Sequence, residues 1–497
     1  MSDLKKWTVE EGGETPEQTA EAAQEAPQEA APQAEEISAK KNKKERTPEQ
    51  KKQHRKRGCA IAGGIVGGTV GLIALVVAIF AILNTVTTKA LHEQAASYEK
   101  VTYTAHEQLA PQQDADGYYF STDRDLDVMQ LTDVHIGSGF LSQQKDTWAM
   151  NAVANMIRER QPDLVIVTGD ISYPVPFSSG SFNNLNPVKV FATEMESLGV
   201  YWTFAFGNHD TEAYSYYSRQ QICDWYADQH FQYCLFEGNN AIEDKAEAED
   251  FGYGNNIIRV KDKNTDLYTQ ALVLFDSHSY TDGDYLGMLW KYDNIHQSQI
   301  DWYAEEMGKL RAYNASKGLD APVKNLAFFH IPMREYREAW SELVEHNGKM
   351  GVKGDVMENS EHVQYVYGVN EEITGASVNP LAGGGEDTYG VFCGVKNEEL
   401  DGKFWAAAKA NGMQGAFCGH DHINNFSVIY EKDGFSMRLT YGMSVDYLAY
   451  AGIFQRHSQR GCTAITVKTN GDFECQQLNY YTDFGIPAEA GDLSDAE

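Results

Sequence analysis

The sequence has no pair of cysteines separated by two residues, although seven cysteines are present. That spacing is typical of zinc ribbons and of thioredoxin-like redox sites, so the sequence suggests neither class. Cys59 borders a long apolar run, and the other six cysteines follow it. Cys223 and Cys234 bracket an aromatic-rich segment and are a candidate disulfide pair, whereas Cys418 lies in an apolar run and is expected in the core.

Positive charge is scarce. The chain has 41 Lys and Arg residues against 72 Asp and Glu residues, a formal net charge of −31. The whole imbalance falls after residue 57, where 60 acidic residues face 29 basic ones. Because an acidic surface repels the phosphate backbone, we expect no nucleic-acid binding.

Bulky apolar side chains are almost missing from residues 1–36, which carry ten acidic and two basic residues. Such a segment buries too little surface to offset its ordering entropy, so residues 1–58 are predicted to be a disordered tail. Residues 40–57 reverse the charge, with ten basic and two acidic residues. This basic block is expected either to meet anionic lipid headgroups or only to set the membrane topology.

Charged residues are absent from the run CAIAGGIVGGTVGLIALVVAIFAIL, residues 59–83. As a helix it would measure about 37 Å, enough to cross a hydrocarbon layer of about 30 Å. The run is longer than the apolar region of a cleavable signal peptide, about 7–15 residues, so it predicts an uncleaved signal anchor over residues 59–84. The positive-inside rule then predicts a single-pass protein of the cell membrane, with a cytoplasmic N-terminus and an extracellular domain. The glycines in the run would permit a homodimer.

The remaining chain is predicted to contain a stalk or linker at residues 85–124, one large domain at 125–485 and an acidic tail at 486–497. Short continuous apolar runs in the domain, among them DLVIVTGD and KNLAFFHIP, are typical of strands buried on both faces. Helical spacing is found over residues 145–160, 187–198 and 402–411. Strands alternating with helices predict an α/β core.

The later part of the domain shows two further patterns. Alternating apolar residues predict antiparallel strands over residues 425–430, 435–441, 462–468 and 473–479. Residues 346–400 are rich in Gly, Asn and Glu and are predicted to form a long surface loop.

Polar residues follow the apolar runs at their C-terminal ends. These residues are Asp133 and His135, Asp170, Asn208 with His209 and Asp210, His330, and His420 with His422. In open α/β sheets, sites form outside the carboxyl ends of the strands, so we expect the five groups to converge.

The predicted group contains two aspartates, one asparagine and four histidines, in addition to His209. That set exceeds the ligands of one ion and suits two, and mixed oxygen and nitrogen donors favour Zn, Mn or Fe over Ca or Mg. Glycine precedes Asp170, Asn208 and His420, which predicts tight turns where the backbone approaches the ions.

The ordered set D-x-H, GD, GNHD, H and GHxH resembles the motifs of the calcineurin-like metallophosphoesterase family, over about residues 125–482. HIPMRE, GHDHINNF and YGMS resemble its purple-acid-phosphatase-like branch. True purple acid phosphatases carry a tyrosine ligand, and no matching tyrosine is evident in the sequence. His135 stands in the D-x-H pattern instead, so a purple iron–tyrosinate centre is not expected. The resemblance implies a four-layer α/β/β/α sandwich.

The resemblance also implies roles for single residues. Asp133, His135 and His422 would hold one of two divalent or trivalent metal ions, Asn208, His330 and His420 the other, and Asp170 would bridge them. His209 would face the substrate phosphate and protonate the leaving oxygen. Asp210 would orient His209.

We therefore expect a phosphoric ester hydrolase with a dinuclear metal centre, acting on a phosphorylated small molecule or another phosphoester. Two alternatives stay open: a phosphodiesterase for nucleotides or lipid headgroups, and a sensor that binds metal or phosphate without turnover. The loop at 346–400 and the insert at 211–265 are expected to set the substrate preference. His278, Glu335 and Tyr441 are weaker candidates for the site.

Overall fold

The computed structural model describes residues 47–238, 242–280, 292–349, 356–369, 402–449 and 460–487. The predicted disordered tail up to residue 46, most of the predicted loop at 346–400 and the tail after residue 487 lie outside these ranges. The chain divides into two compact units, residues 1–71 and residues 72–497.

Helix α1 (Pro48–Ser97) contains the apolar run. Its most apolar stretch has a mean hydropathy of 2.7, and none of that stretch is buried. By length and composition it is a candidate membrane span.

The prediction of a separate stalk at residues 85–124 is wrong. Helix α1 continues to Ser97, and its side chains Leu91 and Ala95 are buried in the core of the second unit. Strands β1 (Gln112–Asp114) and β2 (Gly117–Thr122) belong to the larger sheet. The segment lacks strong periodicity in the sequence because it enters the fold as the end of one helix and two short strands.

The other strands of the second unit are β3 (Leu126–Leu131), β4 (Leu164–Thr168), β5 (Tyr201–Ala205), β6 (Asn256–Asp262), β7 (Tyr268–Leu274), β8 (Lys324–Phe328), β9 (Val363–Tyr367), β10 (Met413–Cys418), β11 (Ser427–Lys432), β12 (Phe435–Tyr441), β13 (Gly461–Val467) and β14 (Phe473–Asn479). The other helices are α2 (Gln143–Arg160), α3 (Pro176–Ser179), α4 (Leu185–Leu198), α5 (Arg219–Ala227), α6 (Lys245–Phe251), α7 (Gln297–Ala315), α8 (Arg334–Asn347) and α9 (Lys403–Asn411), with a 3-10 turn at His209–Thr211.

Two sheets stack face to face. One has the order β14-β13-β3-β4-β5 and the other β1-β2-β6-β7-β8-β10-β12-β11-β9. Val128 and Ile166 of the smaller sheet meet Leu272 and Phe328 of the larger one in a shared apolar layer. Helices α2 and α4 cover the outer face of the smaller sheet, and α7, α8 and α9 cover that of the larger. The predicted four-layer α/β/β/α sandwich is confirmed.

The later strands differ in part from the prediction. Strand β12 pairs parallel with β10 and antiparallel with β11, so it joins the core of the larger sheet as well as forming a hairpin. Strand β9 pairs antiparallel with β11, which means that the predicted surface loop at 346–400 contains a strand at the sheet edge.

The candidate disulfide is absent from the structure: Cys223 and Cys234 are both free. Burial raises the pKa of each thiol. Both cysteines belong to or pack against the core that covers the smaller sheet, so they serve there as small apolar side chains.

Candidate metal centre

The five predicted groups converge at the carboxyl ends of the strands. Strands β3, β4 and β5 run parallel in one sheet, and β8 and β10 run parallel in the other. The seven predicted metal ligands follow these five strands, and all except His420 are buried to 9% exposure or less. Parallel strands deliver their ends to one edge, so two stacked sheets supply ligands from two sides.

The backbone at these strand ends is held in an unusual conformation. Asp133, His135, Asp170 and His420 all have positive φ angles, of 52°, 54°, 54° and 78°. Non-glycine residues rarely adopt this left-handed region, and such strain collects at functional sites. All four residues are candidate ligands, so the unusual backbone conformation coincides with the candidate metal centre.

The glycines that precede the ligands permit close backbone approach. A Cβ atom on Gly207 would lie 2.2 Å from Asp170 Oδ1, and one on Gly169 would lie 2.5 Å from His330 Nδ1. The predicted reason for these glycines therefore agrees with the geometry, since any side chain there would displace a candidate ligand.

Asp133, His135, Asp170 and His422 form the first cluster, in which one donor atom from each residue lies within 4.8 Å of the others. His135 Nε2 is 3.1 Å from Asp170 Oδ2, and His422 Nε2 is 3.3 Å from Asp133 Oδ1. Both imidazoles thus direct the same ring nitrogen at a carboxylate in the middle of the cluster.

Asp446 lies next to the Nδ1 atoms of both histidines in this cluster, and it was not predicted from the sequence. One of its oxygens lies 3.3 Å from His135 Nδ1 and the other 3.2 Å from His422 Nδ1. A carboxylate at Nδ1 fixes the tautomer in which Nδ1 carries the proton and Nε2 keeps its lone pair. Asp446 follows β12 by five residues, so the rule that polar residues at strand ends build the site would have found it.

Asn208, His330 and His420 form the second cluster. His330 Nε2 and His420 Nδ1 each lie 3.0 Å from Asn208 Oδ1. His330 Nδ1 donates to the carbonyl oxygen of Thr168 at 2.8 Å, so in the neutral ring Nε2 carries only a lone pair. That lone pair faces Asn208 Oδ1 and also Asp170 Oδ2 at 3.1 Å. Either a proton or a metal ion at His330 Nε2 satisfies these oxygens, and three donors directed at one point fit a bound metal.

Electrostatics in the first cluster favour ionised carboxylates. Burial alone would raise the pKa of Asp170, but the charge of His330 and His209 and the hydrogen bond of His135 hold it well below its usual value. Burial opposes ionisation of Asp133 and Asp446 too, and neighbouring imidazoles lower the pKa of both.

The histidines divide into two kinds. Although burial works against protonation, Asp446 and Asp170 raise the pKa of His135 to about 9. Burial and the charge of His330 instead lower the pKa of His420 to about 3, so that ring is neutral at pH 7. A neutral imidazole is the form that binds a metal ion.

A hydrogen-bonded chain links the second cluster to His209. Asn208 Nδ2 donates to the Tyr280 hydroxyl at 3.0 Å, and that hydroxyl donates to Glu212 Oε1 at 3.1 Å. The same Glu212 oxygen lies 2.6 Å from His209 Nδ1. The chain orients the Asn208 amide so that Oδ1 faces the histidines, and it leaves His209 Nε2 as the ring nitrogen for a substrate.

Asp210 was predicted to orient His209, but the partners of its carboxylate are different. Its carboxylate accepts hydrogen bonds from the backbone N–H groups of Gly207, Asp170 and Ser172. Asp210 therefore ties the β4 and β5 turns together, and Glu212 is the carboxylate at the His209 ring. The sequence predicted Asp210, the residue next to His209, as its partner. The 3-10 turn at His209–Thr211 instead brings Glu212, three residues after His209, beside the ring.

A tyrosine lies beside the site, although the sequence analysis found none that matched. The ring of Tyr173 stacks on His135 with centroids 4.8 Å apart and meets the His209 ring edge-on at the same distance. Burial and the charge of Asp446 raise the pKa of its hydroxyl. This favours the neutral phenol over the tyrosinate of a coloured centre.

The three weaker candidates lie elsewhere. Glu335 Oε1 is 2.9 Å from Lys432 Nζ, and Tyr441 packs in the core under α8. His278 lines a cleft of about 710 Å³, which Glu212 and Tyr280 also line. The cleft therefore adjoins Glu212 and Tyr280, which connect Asn208 to His209.

The sandwich and its convergent donors define a metallophosphoesterase architecture. A family model of calcineurin-like phosphoesterases matches residues 126–368.

Relatives include three proteins of Arabidopsis thaliana named probable inactive purple acid phosphatases. Number 28 is 22% identical over 324 residues, 62% of this chain and 68% of the relative. Number 29 is 24% identical over 352 residues, which cover 67% of this chain and 74% of the relative. Number 14 is 22% identical over 331 residues, which cover 62% of this chain and 68% of the relative. Residues 126–368 are therefore a calcineurin-like phosphoesterase domain, and these relatives support its similarity to the purple-acid-phosphatase-like branch.

Proposed function

We propose that this protein hydrolyses phosphoric esters at a centre of two metal ions. The observation that carries the proposal is the convergence of seven donor side chains at the carboxyl ends of strands from both sheets. Asp133, His135 and His422 would hold one ion, and Asn208, His330 and His420 the other, with Asp170 between them. Bound cations would neutralise the phosphate charge and make water acidic enough to attack at neutral pH.

The chain's own residues divide the remaining work. Asp446 keeps the Nε2 lone pairs of His135 and His422 directed at the centre. Glu212 Oε1 lies at His209 Nδ1, so the protonated ring of His209 can direct its Nε2–H at the phosphate or at the departing oxygen. The cleft lined by Glu212 and Tyr280 receives the rest of the ester.

The test uses the full chain, purified in detergent and loaded with Mn, Fe or Zn in turn. We expect hydrolysis of para-nitrophenyl phosphate that is lost with a chelator and restored by metal. A panel that pairs monoesters with nucleotide and lipid-headgroup diesters then separates phosphatase from phosphodiesterase. Both reactions use the same core, so the cleft decides the preference.

A second candidate function is a protein of the same fold that binds metal or phosphate without turnover. The names of the three plant relatives, each a probable inactive phosphatase, favour it. The complete set of seven donors, and the contact that orients His209 with Glu212, argue against a protein without turnover. Phosphate binding with no hydrolysis across the ester panel, by protein that contains metal, would establish this alternative.

We further propose that residues 59–84 anchor the protein in the cell membrane, with the basic block on the cytoplasmic side and the domain outside. The exposed apolar stretch of α1 supports this proposal. Protease added to intact cells should remove the domain, and full protection would contradict the orientation. The homodimer expected from the glycines has no support in the structure, and we do not propose it.

A further inference from the structure

Apolar side chains are exposed on the two segments that contact the end of the candidate anchor, the loop after His135 and the short helix α3 with the residues that follow it. Leu141, Phe177 and Phe182 are 53%, 95% and 41% exposed, and we call these three residues the apolar collar. Most exposed side chains of this size carry no meaning singly, but a group of them marks a surface that meets something apolar.

The collar is fixed to the anchor by specific contacts. From residue 72 onward α1 belongs to the same compact unit as the domain. Asn84 bridges the two collar loops, because its Nδ2 donates to Gly180 O at 2.8 Å and its Oδ1 accepts from Phe140 N at 3.0 Å. The Phe80 ring lies 4.9 Å from that of Phe140. The loops also bind each other, since Leu141 N donates to Ser179 O at 3.1 Å.

These contacts fix the position of the collar relative to the end of the apolar run of α1. The apolar run of α1 ends at Leu83, directly before Asn84, which holds both loops. The headgroup layer of a bilayer is only about 5–8 Å thick on each side. If residues 59–84 cross a membrane as proposed above, the collar lies at its surface.

The candidate metal centre is close to the same level. Thr88 Oγ1 donates to Ser138 O at 3.1 Å, and Thr88 lies about 7.5 Å along the helix from Leu83. Ser138 follows the candidate ligand His135 by three residues, a span of at most about 11 Å. The collar also extends toward the cleft, because Phe182 stacks on Tyr216, which lines it.

We propose that the apolar collar docks the domain on the bilayer that its own helix crosses and presents the candidate centre to phosphoesters carried by membrane lipids. The docking rests on the anchoring proposed above. Phe177 is the principal contact because almost all of its side chain is exposed. Phe and Leu at the boundary of headgroups and acyl chains bind by burying apolar area.

The docking test places p-benzoylphenylalanine at position 177 of the full chain, reconstituted in vesicles of phosphatidylcholine and phosphatidylglycerol. The matched control places it at Leu319, which is 45% exposed and precedes β8, at the sheet edge opposite the candidate centre. On irradiation we expect a phospholipid adduct from position 177 and none from position 319. A protein adduct from position 177, or equal lipid labelling at both positions, would overturn the docking.

Alkaline extraction of the same vesicles separates this proposal from the anchoring. Release of the chain would overturn both, whereas retention without a lipid adduct at position 177 would overturn the docking alone. For the substrate class, Phe177→Ser should slow hydrolysis of phosphatidic acid in the vesicles about tenfold and leave soluble para-nitrophenyl phosphate unaffected. Equal effects on both substrates would contradict a membrane-borne substrate. If neither ester is hydrolysed, the proposed activity fails, and the adduct still decides the docking.

Discussion

Among the described residues, three groups of histidines and acidic residues bring their donor atoms within 4.8 Å of one another, and two of them contain more than one histidine. The first of these two is the cluster of Asp133, His135, Asp170 and His422, and the second is His278, Asp293 and His296. In the first, Nδ1 of each imidazole is held by Asp446 and Nε2 faces the middle. In the second, His278 Nδ1 lies 2.9 Å from Asn294 O and Nε2 lies 3.1 Å from Glu249 O.

The difference shows that proximity alone does not make a metal site. Both ring nitrogens of His278 face backbone carbonyl oxygens, whereas each imidazole of the first cluster directs Nε2 at a carboxylate. His296 lies between two carboxylates, Asp250 at Nδ1 and Asp293 at Nε2, both at 3.1 Å, as His135 does, so His278 is the ring that separates the two clusters. A donor set binds metal when carboxylates or carbonyls fix one nitrogen of each ring and leave the other directed at a common point. Each prediction below tests this contrast.

The largest effect is expected from Asp170→Asn. The substitution removes the charge that both metal ions would share, so hydrolysis should fall by about 10³-fold or more and metal content should drop. Asp293→Asn in the second cluster is the matched control and should retain both the rate of hydrolysis and the metal content. Equal losses in the two variants, measured by turnover and elemental analysis, would remove the distinction between the clusters.

His209→Asn should lower kcat by about 10²–10⁴-fold, the usual contribution of a general acid. Metal content should stay at the wild-type value, because His209 is held by Glu212 and directs its free nitrogen at substrate rather than at the ions. Loss of metal in this variant would show that His209 is a ligand.

Asp446→Asn should weaken metal binding about 10–100-fold, the range for groups that orient metal-bound histidines. The amide can present either an oxygen or an N–H to each ring, so the tautomers of His135 and His422 are no longer fixed. Turnover at saturating metal should recover most of its wild-type value. A variant that binds metal normally at limiting concentration would contradict the orienting role.

The smallest effect concerns pH and the second cluster. Burial lowers the pKa of His296, but Asp293 and Asp250 outweigh it and raise the pKa to about 9, above the usual histidine value of about 6.5. The stabilisation is therefore complete below about pH 6.5 and disappears as the pH rises through about 9. His296→Gln should lower the melting temperature most near pH 6 and least near pH 10. A pH-independent difference would show that the ion pairs do not stabilise the fold.

The sequence predicted the parts of this structure that depend on local pattern. Helix α2 was expected over residues 145–160 and is found at Gln143–Arg160, because its apolar side chains recur at helical spacing. The candidate ligands were predictable because each follows a buried strand, and parallel strands bring their ends together.

Contacts across the chain were not predictable. Glu212 and Tyr280 are 68 residues apart and meet only through the fold. Asp446 supports His135 from more than 300 residues away. Residues 85–97 gave no sign in the sequence that they would enter the core, because only one side chain per turn, such as Leu91 and Ala95, is buried.

The most direct test of the dinuclear centre is a metal titration of the full chain after complete metal removal, with hydrolysis of para-nitrophenyl phosphate followed at each step. We expect no activity without metal, and full activity only when two ions are bound per chain. Full hydrolysis by the metal-free chain would contradict the account.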